Sequence, residues 1–334
     1  AMLTACTGAA AQNQEYVRQS PAPSDAHLYG LDFVDSDKGW AVGDSPGNGG
    51  IWRTTDGGAT WETCIRDSLT EIRAIDMFDA STGIAVGSSI FKTTNGGDTW
   101  SESNLPSTPA GHDPAVQGTQ IQFVSQTTGW LSTRPSGAVS YLYRTNNGGG
   151  SWQYLGYFYL ESWYFADESV GWAADLESNF VRTSDGGQTW SPVPMPPATI
   201  GCCSTVARVF SYDEAIVTTF QNSTVGFTTH HTTDGGQTWV SSAPGAPRHP
   251  EFLDSSTGWG WIQFGNMAKT TDGGETWTSQ LGSIDIHEHV RDLAIVDGNS
   301  LYFSGDFGYV YKSEDGGNSW QPASDGSGQY LEKI

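Results

Sequence analysis

The chain has 334 residues, with 15 Lys and Arg against 37 Asp and Glu, and a formal net charge of −22 at pH 7. This charge argues against binding to nucleic acid or to an anionic membrane surface, since both are negatively charged themselves. No run of about 18 apolar residues occurs, so the sequence predicts no transmembrane helix.

The sequence of residues 1–24 indicates a lipid-anchored tether that precedes the folded domain. Leu3-Thr4-Ala5-Cys6 matches a bacterial lipobox, in which the cysteine carries the lipid after signal cleavage. Residues 7–24 are rich in Ala, Gln, Pro and Ser, a composition typical of a flexible linker. We therefore expect lipidation at Cys6, attachment to a membrane only through that lipid, and a periplasmic or cell-surface location. A chance four-residue match is the alternative.

One phrase recurs seven times between Arg53 and Trp320, at intervals of about 40 residues. Its copies are RTTDGGATW, KTTNGGDTW, RTNNGGGSW, RTSDGGQTW, HTTDGGQTW, KTTDGGETW and KSEDGGNSW. The Asp or Asn and the Trp of each copy are Asp56 and Trp61, Asn95 and Trp100, Asn147 and Trp152, Asp185 and Trp190, Asp234 and Trp239, Asp272 and Trp277, and Asp315 and Trp320. This period with these residues predicts a four-stranded blade rather than a helical repeat.

We call each copy the Gly-Gly turn, and its residues predict a structural hairpin corner. The Asp or Asn side chain is expected to accept a hydrogen bond from the backbone N–H two residues on. The two glycines tolerate the positive φ of a tight turn, and the Trp supplies an apolar plate. A P-loop is excluded because no copy ends in Lys-Ser or Lys-Thr. One carboxylate per turn is also too few for calcium.

A strand, a polar turn and a second strand precede each Gly-Gly turn, as in DFVDSDKGWAVG from Asp32 to Gly43. One unit therefore has four strands, A to D. The sequence predicts an all-β fold, with residues 25–334 forming one seven-bladed β-propeller of four-stranded antiparallel blades. Ring closure is predicted to use either a strand from Glu15 to Gln19 or strand D of the last blade with Gln329 to Ile334.

The Gly-Gly turns resemble the Asp-box, or BNR repeat, of sialidases, two-propeller xyloglucan hydrolases, sortilin-type receptors and photosystem II stability/assembly factors. The T-x-D-G-G-x-T-W form, with T-G-W-A-V-G-like phrases upstream, is most similar to the last family. The resemblance covers nearly the whole chain and implies the propeller fold without implying one function. The basic patch with which the assembly factors are thought to meet their partner is not expected in so acidic a chain.

The loops predict which face of the ring binds a ligand. The uniform A–B and C–D turns are expected on one face, and the irregular B–C and D–A connections on the other, which we call the loop-rich face. The candidate ligand-binding residues there are His112, Asp113, Arg134, Trp163, Asp175, Arg248, His249, His287, His289 and Asp306. Aromatic, carboxylate and imidazole groups together suit a peptide or a sugar chain. For Trp163, packing between blades is the alternative.

Two further groups of side chains leave alternatives open. His287 and His289 lie two residues apart and can offer two metal ligands, but ordinary polar loop residues are the alternative, so the metal stays unknown and no cofactor is expected. Cys64 is expected in the first blade, and Cys202 and Cys203 before the fifth. Because those blades are far apart, we expect no bridge from Cys64 to either cysteine. An adjacent Cys202–Cys203 disulfide is another alternative.

These observations predict an exported, monomeric, non-enzymatic scaffold that binds a protein or glycan partner through the loop-rich face or the central channel. The alternative is a secreted glycoside hydrolase, sialidase-like or xyloglucan-hydrolase-like. Such an enzyme needs two suitably spaced carboxyl groups, and the pattern singles out no pair.

Overall fold

The computed structural model describes residues 27–45, 48–67, 71–135, 140–158, 160–175, 179–196, 204–222, 226–247, 249–262, 266–280, 290–305 and 308–324. Over these ranges the chain forms seven four-stranded antiparallel sheets arranged in a ring. This confirms the predicted all-β, seven-bladed propeller. No helix in the described ranges is long and apolar enough to cross a membrane. The N-terminal segment with Cys6 lies outside them.

Each blade uses four consecutive strands. Blade 1 contains β1 (His27–Phe33), β2 (Gly39–Ser45), β3 (Asn48–Thr54) and β4 (Glu62–Asp67). Blade 2 contains β5 (Ile72–Met77), β6 (Gly83–Gly87), β7 (Ser89–Thr93) and β8 (Ser101–Asn104). Blade 3 contains β9 (Gln117–Phe123), β10 (Gly129–Arg134), β11 (Ser140–Thr145) and β12 (Gln153–Phe158). Blade 4 contains β13 (Leu160–Phe165), β14 (Gly171–Asp175), β15 (Phe180–Thr183) and β16 (Ser191–Val193).

The remaining three blades follow the same order. Blade 5 contains β17 (Ser204–Val209), β18 (Ala215–Asn222), β19 (Gly226–Thr232) and β20 (Val240–Ser241). Blade 6 contains β21 (Glu251–Phe252), β22 (Gly258–Ile262), β23 (Asn266–Thr270) and β24 (Thr278–Gln280). Blade 7 contains β25 (Val290–Ile295), β26 (Leu301–Gly305), β27 (Val310–Ser313) and β28 (Gln321–Ser324).

Side chains join blade 7 to blade 1 in the described part of the ring. The rings of Phe33 and Tyr302 stack with centroids 3.6 Å apart, and the Tyr302 hydroxyl donates to the Ser36 carbonyl at 2.7 Å. The backbone N–H of Leu31 donates to Asp292 Oδ2 at 2.7 Å. Strand β28 pairs with β27 of its own blade. The predicted closing segments, 15–19 and 329–334, lie outside the described residues.

The Gly-Gly turn is held by the hydroxyl group at its start. In blade 1 the Thr54 hydroxyl accepts the Gly58 N–H at 2.8 Å and donates to Asp56 Oδ1 at 2.8 Å. Oδ1 also accepts the Thr60 N–H at 2.8 Å, four residues on. The expectation of a bond two residues on was therefore wrong, because two consecutive glycines at positive φ, 67° and 87°, carry the chain one step further.

Asn replaces Asp in two of the turns without changing this arrangement. Asn95 Oδ1 accepts the Thr99 N–H at 3.0 Å, and its Nδ2 donates to the Thr99 hydroxyl at 3.0 Å. In the Asp copies the hydroxyl instead donates to the carboxylate, as Thr189 does to Asp185 at 2.6 Å. A rotatable hydroxyl can both donate and accept, so either residue completes the turn.

The Gly-Gly turns and the A–B turns share one face, as predicted. The Gly57 N–H donates to the Asp37 carbonyl in the A–B turn of the same blade at 2.8 Å, and the other blades repeat this bond. The A–B turns have their own acceptor: Asp79 Oδ1 accepts the N–H groups of Ser81 and Thr82 at 2.7 and 2.8 Å. These carboxylates therefore have a structural role in turn formation.

The cores lie between blades rather than within them. Trp40 and Val42 of blade 1 pack with Ile72 and Phe91 of blade 2, and equivalent clusters join most neighbouring blades. Four of the five most deeply buried tryptophans in the described ranges belong to strand B: Trp40, Trp130, Trp172 and Trp259. The sequence predicts that the Trp of each Gly-Gly turn supplies an apolar plate to this packing. Trp61 and Trp100 are buried, but the other five remain half-buried at the blade edges.

Candidate functional site at the central channel

The first strands of the blades form the inner wall of the ring, because their side chains bond to the first strand of the next blade. Asp32 Oδ2 accepts the Met77 N–H at 2.6 Å, and Asp76 Oδ2 accepts the Phe123 N–H at 2.7 Å. Ser162 continues the series by accepting the Val206 N–H at 2.7 Å. These bonds join consecutive blades around the central channel.

One position of this wall carries a polar residue in six of the seven blades. It immediately precedes the last residue of the first strand, which is apolar in every blade. Blade 7 has Ala294 at this position, and its polar residue is Asp292, two residues earlier. We call the following seven residues the hub: Asp32, Asp76, Gln122, Tyr164, Arg208, Glu251 and Asp292. All seven are half-buried.

Burial raises the pKa of all four hub carboxyl groups. It raises the pKa of Asp32 to about 6, although the N–H groups of Met77 and Phe33 oppose the shift. Burial and the Asp32 charge raise the pKa of Asp76 to about 8. Burial and the Asp292 charge raise the pKa of Glu251 to about 8, and Arg208 opposes this. Burial raises the pKa of Asp292 to about 7, against hydrogen bonds from Leu31 and Leu293.

A β-bulge recurs near the start of the first strand. In five blades the register shifts between the same two partner positions, so that the first strand has one extra residue there: Tyr29, Arg73, Thr119, Glu161 and Arg291. In blade 5 the extra residue is Ala207, one pair further along. A bulge redirects a side chain from the usual alternation, and bulges are common beside binding sites. The bulged residues differ in chemistry although the surrounding strand repeats.

The bulges of blades 1 and 2 belong to a polar network at the loop-rich end of the channel. The Arg73 guanidinium lies 4.6 Å from the centre of the Tyr29 ring and pairs with Glu71. Gln117 of blade 3 donates to Glu71 at 2.7 Å. Burial and a hydrogen bond to Asp44 raise the pKa of Tyr29 to about 12, so the phenol stays protonated. We call these five residues the channel mouth.

The predicted ligand-binding residues do not converge on one site in the described structure. His112 lies over the outer strands of blade 3, with its ring 5.8 Å from that of Tyr141 and 6.2 Å from that of Tyr154. The Asp113 carbonyl accepts the Tyr141 hydroxyl at 3.0 Å, while the Asp113 side chain is exposed. These contacts fix the loop onto blade 3.

The other candidates are dispersed. Trp163 is 2% exposed and packs between blades 3 and 4 with Trp130, which fits the packing alternative. Arg134 is half-buried at the end of β10, Asp175 ends β14, and His249 is exposed before β21. Arg248, His287, His289 and Asp306 lie outside the described residues. In the part of the chain that is described, no three His, Cys, Asp or Glu side chains could hold a metal ion.

Cys64 is buried and disulfide-bonded. Its partner is not among the described residues, and Cys6, Cys202 and Cys203 all lie outside them.

Sequence reasoning missed the hub and the bulges. A signal for the hub is present in the sequence: a polar residue stands directly before the terminal apolar residue in Asp32-Phe33, Asp76-Met77, Gln122-Phe123 and Glu251-Phe252. In an isolated strand this is ordinary alternation. Only ring closure encloses these polar groups together. The bulges add one residue to a strand and leave no separate mark in the sequence.

Comparison with known proteins supports the family resemblance. A family model described as photosynthesis system II assembly factor YCF48 matches residues 9–156. A structure of YCF48 bound to a D1 peptide is 19% identical, with a TM-score of 0.65 over 88% of this chain and 95% of that chain. YCF48 from Cyanidioschyzon merolae is 18% identical, with a TM-score of 0.65 over 89% and 98% of the two chains. A search of curated proteins found no match.

A glycoside hydrolase is also similar in fold. The GH74 enzyme of Niastella koreensis is 14% identical, with a TM-score of 0.52 over 89% of this chain and 65% of that chain. At these identities the structural matches establish the fold and leave activity open. The chain is therefore a seven-bladed β-propeller. Its sequence is similar to the photosystem II assembly factor YCF48 family over residues 9–156.

Proposed function

We propose that this protein is a non-enzymatic scaffold that binds a protein partner at the loop-rich face, with the channel mouth as the centre of contact. The observation that carries the proposal is the recurring bulge, whose extra residue is Tyr, Arg, Thr, Glu and Arg in blades 1, 2, 3, 4 and 7. The repeated bulge geometry meets the needs of the fold, so the change of residue type at the bulged position favours recognition. The D1 peptide bound to the YCF48 relative supports a peptide or protein as the ligand class.

The distribution of basic side chains also favours the loop-rich face as the surface that binds a partner. Many of its basic side chains hold blades together on the opposite face, as Lys92 does by donating to the Gly148 carbonyl at 2.6 Å. Arg291 is exposed on a bulge, and Arg73 lies at the channel mouth. A partner segment with both carboxylate and hydrogen-bonding groups would complement this mixture.

Site-specific crosslinking would test the assignment of the face. A photoreactive residue at Thr119 should capture the partner in cells, whereas one at Glu275, on an exposed Gly-Gly turn, should not. The purified partner should then bind Arg291→Ala more weakly than the wild-type protein and should bind Lys38→Ala normally. Both substitutions remove one exposed cation, and Lys38 lies in an A–B turn on the other face. Equal binding by both variants, or capture only from position 275, would refute the proposal.

Export and lipid anchoring through Cys6 are part of the same proposal, and they rest on the lipobox match. Cys6→Ala should move the protein from the membrane fraction to the soluble fraction and abolish labelling by a fatty-acid analogue. A membrane fraction unchanged by Cys6→Ala would contradict lipid anchoring. The glycan-binding and glycoside hydrolase alternatives have only similarity of fold in their support. Of the described hub carboxyl groups, Asp32 and Asp76 accept backbone N–H groups of the next blade.

A further inference from the structure

The bonds between first strands use a carboxyl group at three of the joints between blades. Asp32 joins blade 1 to blade 2, Asp76 joins blade 2 to blade 3, and Asp292 joins blade 7 to blade 1. The Asp292 carboxyl group accepts two hydrogen bonds, because its Oδ1 also accepts the Leu293 N–H at 3.0 Å. Each bond runs from a backbone N–H to a single carboxyl oxygen.

The protein contains an uncharged version of the same joint. Between blades 3 and 4, Gln122 Oε1 accepts the Phe165 N–H at 2.9 Å, and its Nε2 donates to the Phe165 carbonyl at 2.8 Å. This amide occupies the position of Asp32 and Asp76 in the first strand. An amide therefore suffices to join two blades at this position. The carboxyl groups add the ability to gain and lose a proton.

The hub carboxyl groups act on one another. The charge of Asp32 acts on Asp76 and on Asp292 in the two neighbouring blades, and the charge of Asp292 acts on Glu251. The groups opposite them are Gln122, Tyr164 and Arg208, whose guanidinium lies 4.7 Å from the centre of the Tyr164 ring. Arg208 is the cation whose charge acts on Glu251. One arginine cannot compensate four carboxylates, so full deprotonation leaves net negative charge concentrated in the half-buried hub.

We infer that the hub is a proton-dependent regulator of the ring: protonated hub carboxyl groups hold the first strands of blades 7, 1, 2 and 3 together around the channel, and deprotonation of the hub loosens those strands. The inference concerns regulation and does not depend on which partner binds. Its sign follows from two effects that both favour the neutral carboxyl groups in the closed ring, namely partial burial and the like charges that the neighbouring blades bring together. The closed ring therefore holds more protons than a loosened one, and loosening becomes easier as pH rises.

Hydrogen exchange and urea unfolding between pH 5 and 8.5 would test this inference on the intact protein. After correction for intrinsic exchange, the opening equilibrium of β1, β5 and β25 should rise by about tenfold per pH unit for each proton released. The blade 3 strands β10 and β11 should change less. Asp76→Asn and Glu251→Gln should each flatten the pH dependence. Gln122→Glu should steepen it by adding a fifth carboxyl group to the hub.

Asp37→Asn is the matched control, because it removes the same unit of charge from an exposed A–B turn. It should leave the pH dependence of opening as in the wild-type protein. The inference would be overturned if opening of the wild-type protein did not vary with pH. It would also be overturned if the control flattened the profile as much as Glu251→Gln. A third refuting result is a pH dependence of opening that is the same as in the wild-type protein in both Glu251→Gln and Gln122→Glu. These two variants test the inference even if Asp76→Asn does not fold.

Discussion

Arg53 of blade 1 donates through Nη1 to the carbonyl oxygen of Gly96, in the Gly-Gly turn of blade 2, at 2.9 Å. The same carbonyl accepts the indole N–H of Trp40 at 3.2 Å. In blades 3 and 6 the strand B Trp makes the equivalent bond, from Trp130 to Gly186 at 3.0 Å and from Trp259 to Gly316 at 2.8 Å. The Gly-Gly turn thus forms a hairpin corner and also accepts hydrogen bonds from side chains of the preceding blade.

Removal of the Arg53 side chain should weaken the joint between blades 1 and 2. Arg53→Met keeps the apolar stem but loses the bond to Gly96 and the ion pairs with Asp98 and Glu62. Because the buried carbonyl keeps its Trp40 donor, we expect a loss of about 1–3 kcal/mol in the free energy of unfolding. Urea denaturation measures it. Asp98→Asn, which removes one exposed partner, should cost less than about 1 kcal/mol. Equal losses in the two variants would show that Arg53 stabilises the joint only through its ion pair with Asp98.

The hydroxyl that begins each Gly-Gly turn should matter more than the carboxylate at its centre. Thr270 is 1% exposed, and its Oγ1 accepts the Gly274 N–H at 2.9 Å. Thr270→Val leaves that buried N–H without its acceptor and should cost about 1–3 kcal/mol. Thr270→Ser should cost much less, because Ser313 makes the same bond in blade 7 at 2.8 Å. Thermal unfolding of both variants compares them, and a Val variant as stable as the Ser variant would contradict the assigned role.

The carboxylates of the Gly-Gly turns should govern stability in acid. Hydrogen bonds from Ser319 lower the pKa of Asp315, and hydrogen bonds from Thr238 lower the pKa of Asp234. A lowered pKa means that the stabilising contribution is present above about pH 4 and is lost as pH falls further. Asp234→Asn and Asp315→Asn together should unfold at lower pH than the wild-type protein and match it at pH 7. Circular dichroism during acid titration measures the midpoint, and an unchanged midpoint would contradict the prediction.

The fold could be predicted from sequence because its signals are local. Each Gly-Gly turn encodes its hydroxyl, its Asp or Asn and its two glycines within five residues, so seven copies could be counted directly. The hub could not be predicted in this way. Leu31 and Asp292 are 261 positions apart, and their bond exists only after the ring closes. The loop candidates were chosen by residue type, and the structure places Trp163 in an interface between blades and His112 over blade 3.

The polar interior of blade 5 should keep a histidine neutral well into the acid range. His230 is 1% exposed, and its ring nitrogens lie 2.9 Å from the Thr219 hydroxyl and 2.7 Å from the Ser241 hydroxyl. Burial lowers the pKa of His230 to about 4. Its stabilising contribution is therefore present above the unfolded pKa of about 6.5 and declines as pH falls towards 4. An NMR titration should show a His230 midpoint near 4. A midpoint near 6.5 would mean that water or a charge reaches the ring, and His230→Gln assigns the resonance.

Reduction of the Cys64 disulfide should destabilise the joint between blades 1 and 2, because Cys64 packs with Trp40 and Trp100 there. Cys64→Ser should lower the free energy of unfolding by about 2–4 kcal/mol, and dithiothreitol should have a similar effect on the wild-type protein but little on the variant. Complete alkylation of Cys64 without reduction would contradict the disulfide itself. A non-reducing peptide map would identify the partner. A bond to Cys6 would occupy the sulfur that a lipid anchor requires, whereas a bond to Cys202 or Cys203 would show our expectation from blade spacing to be wrong.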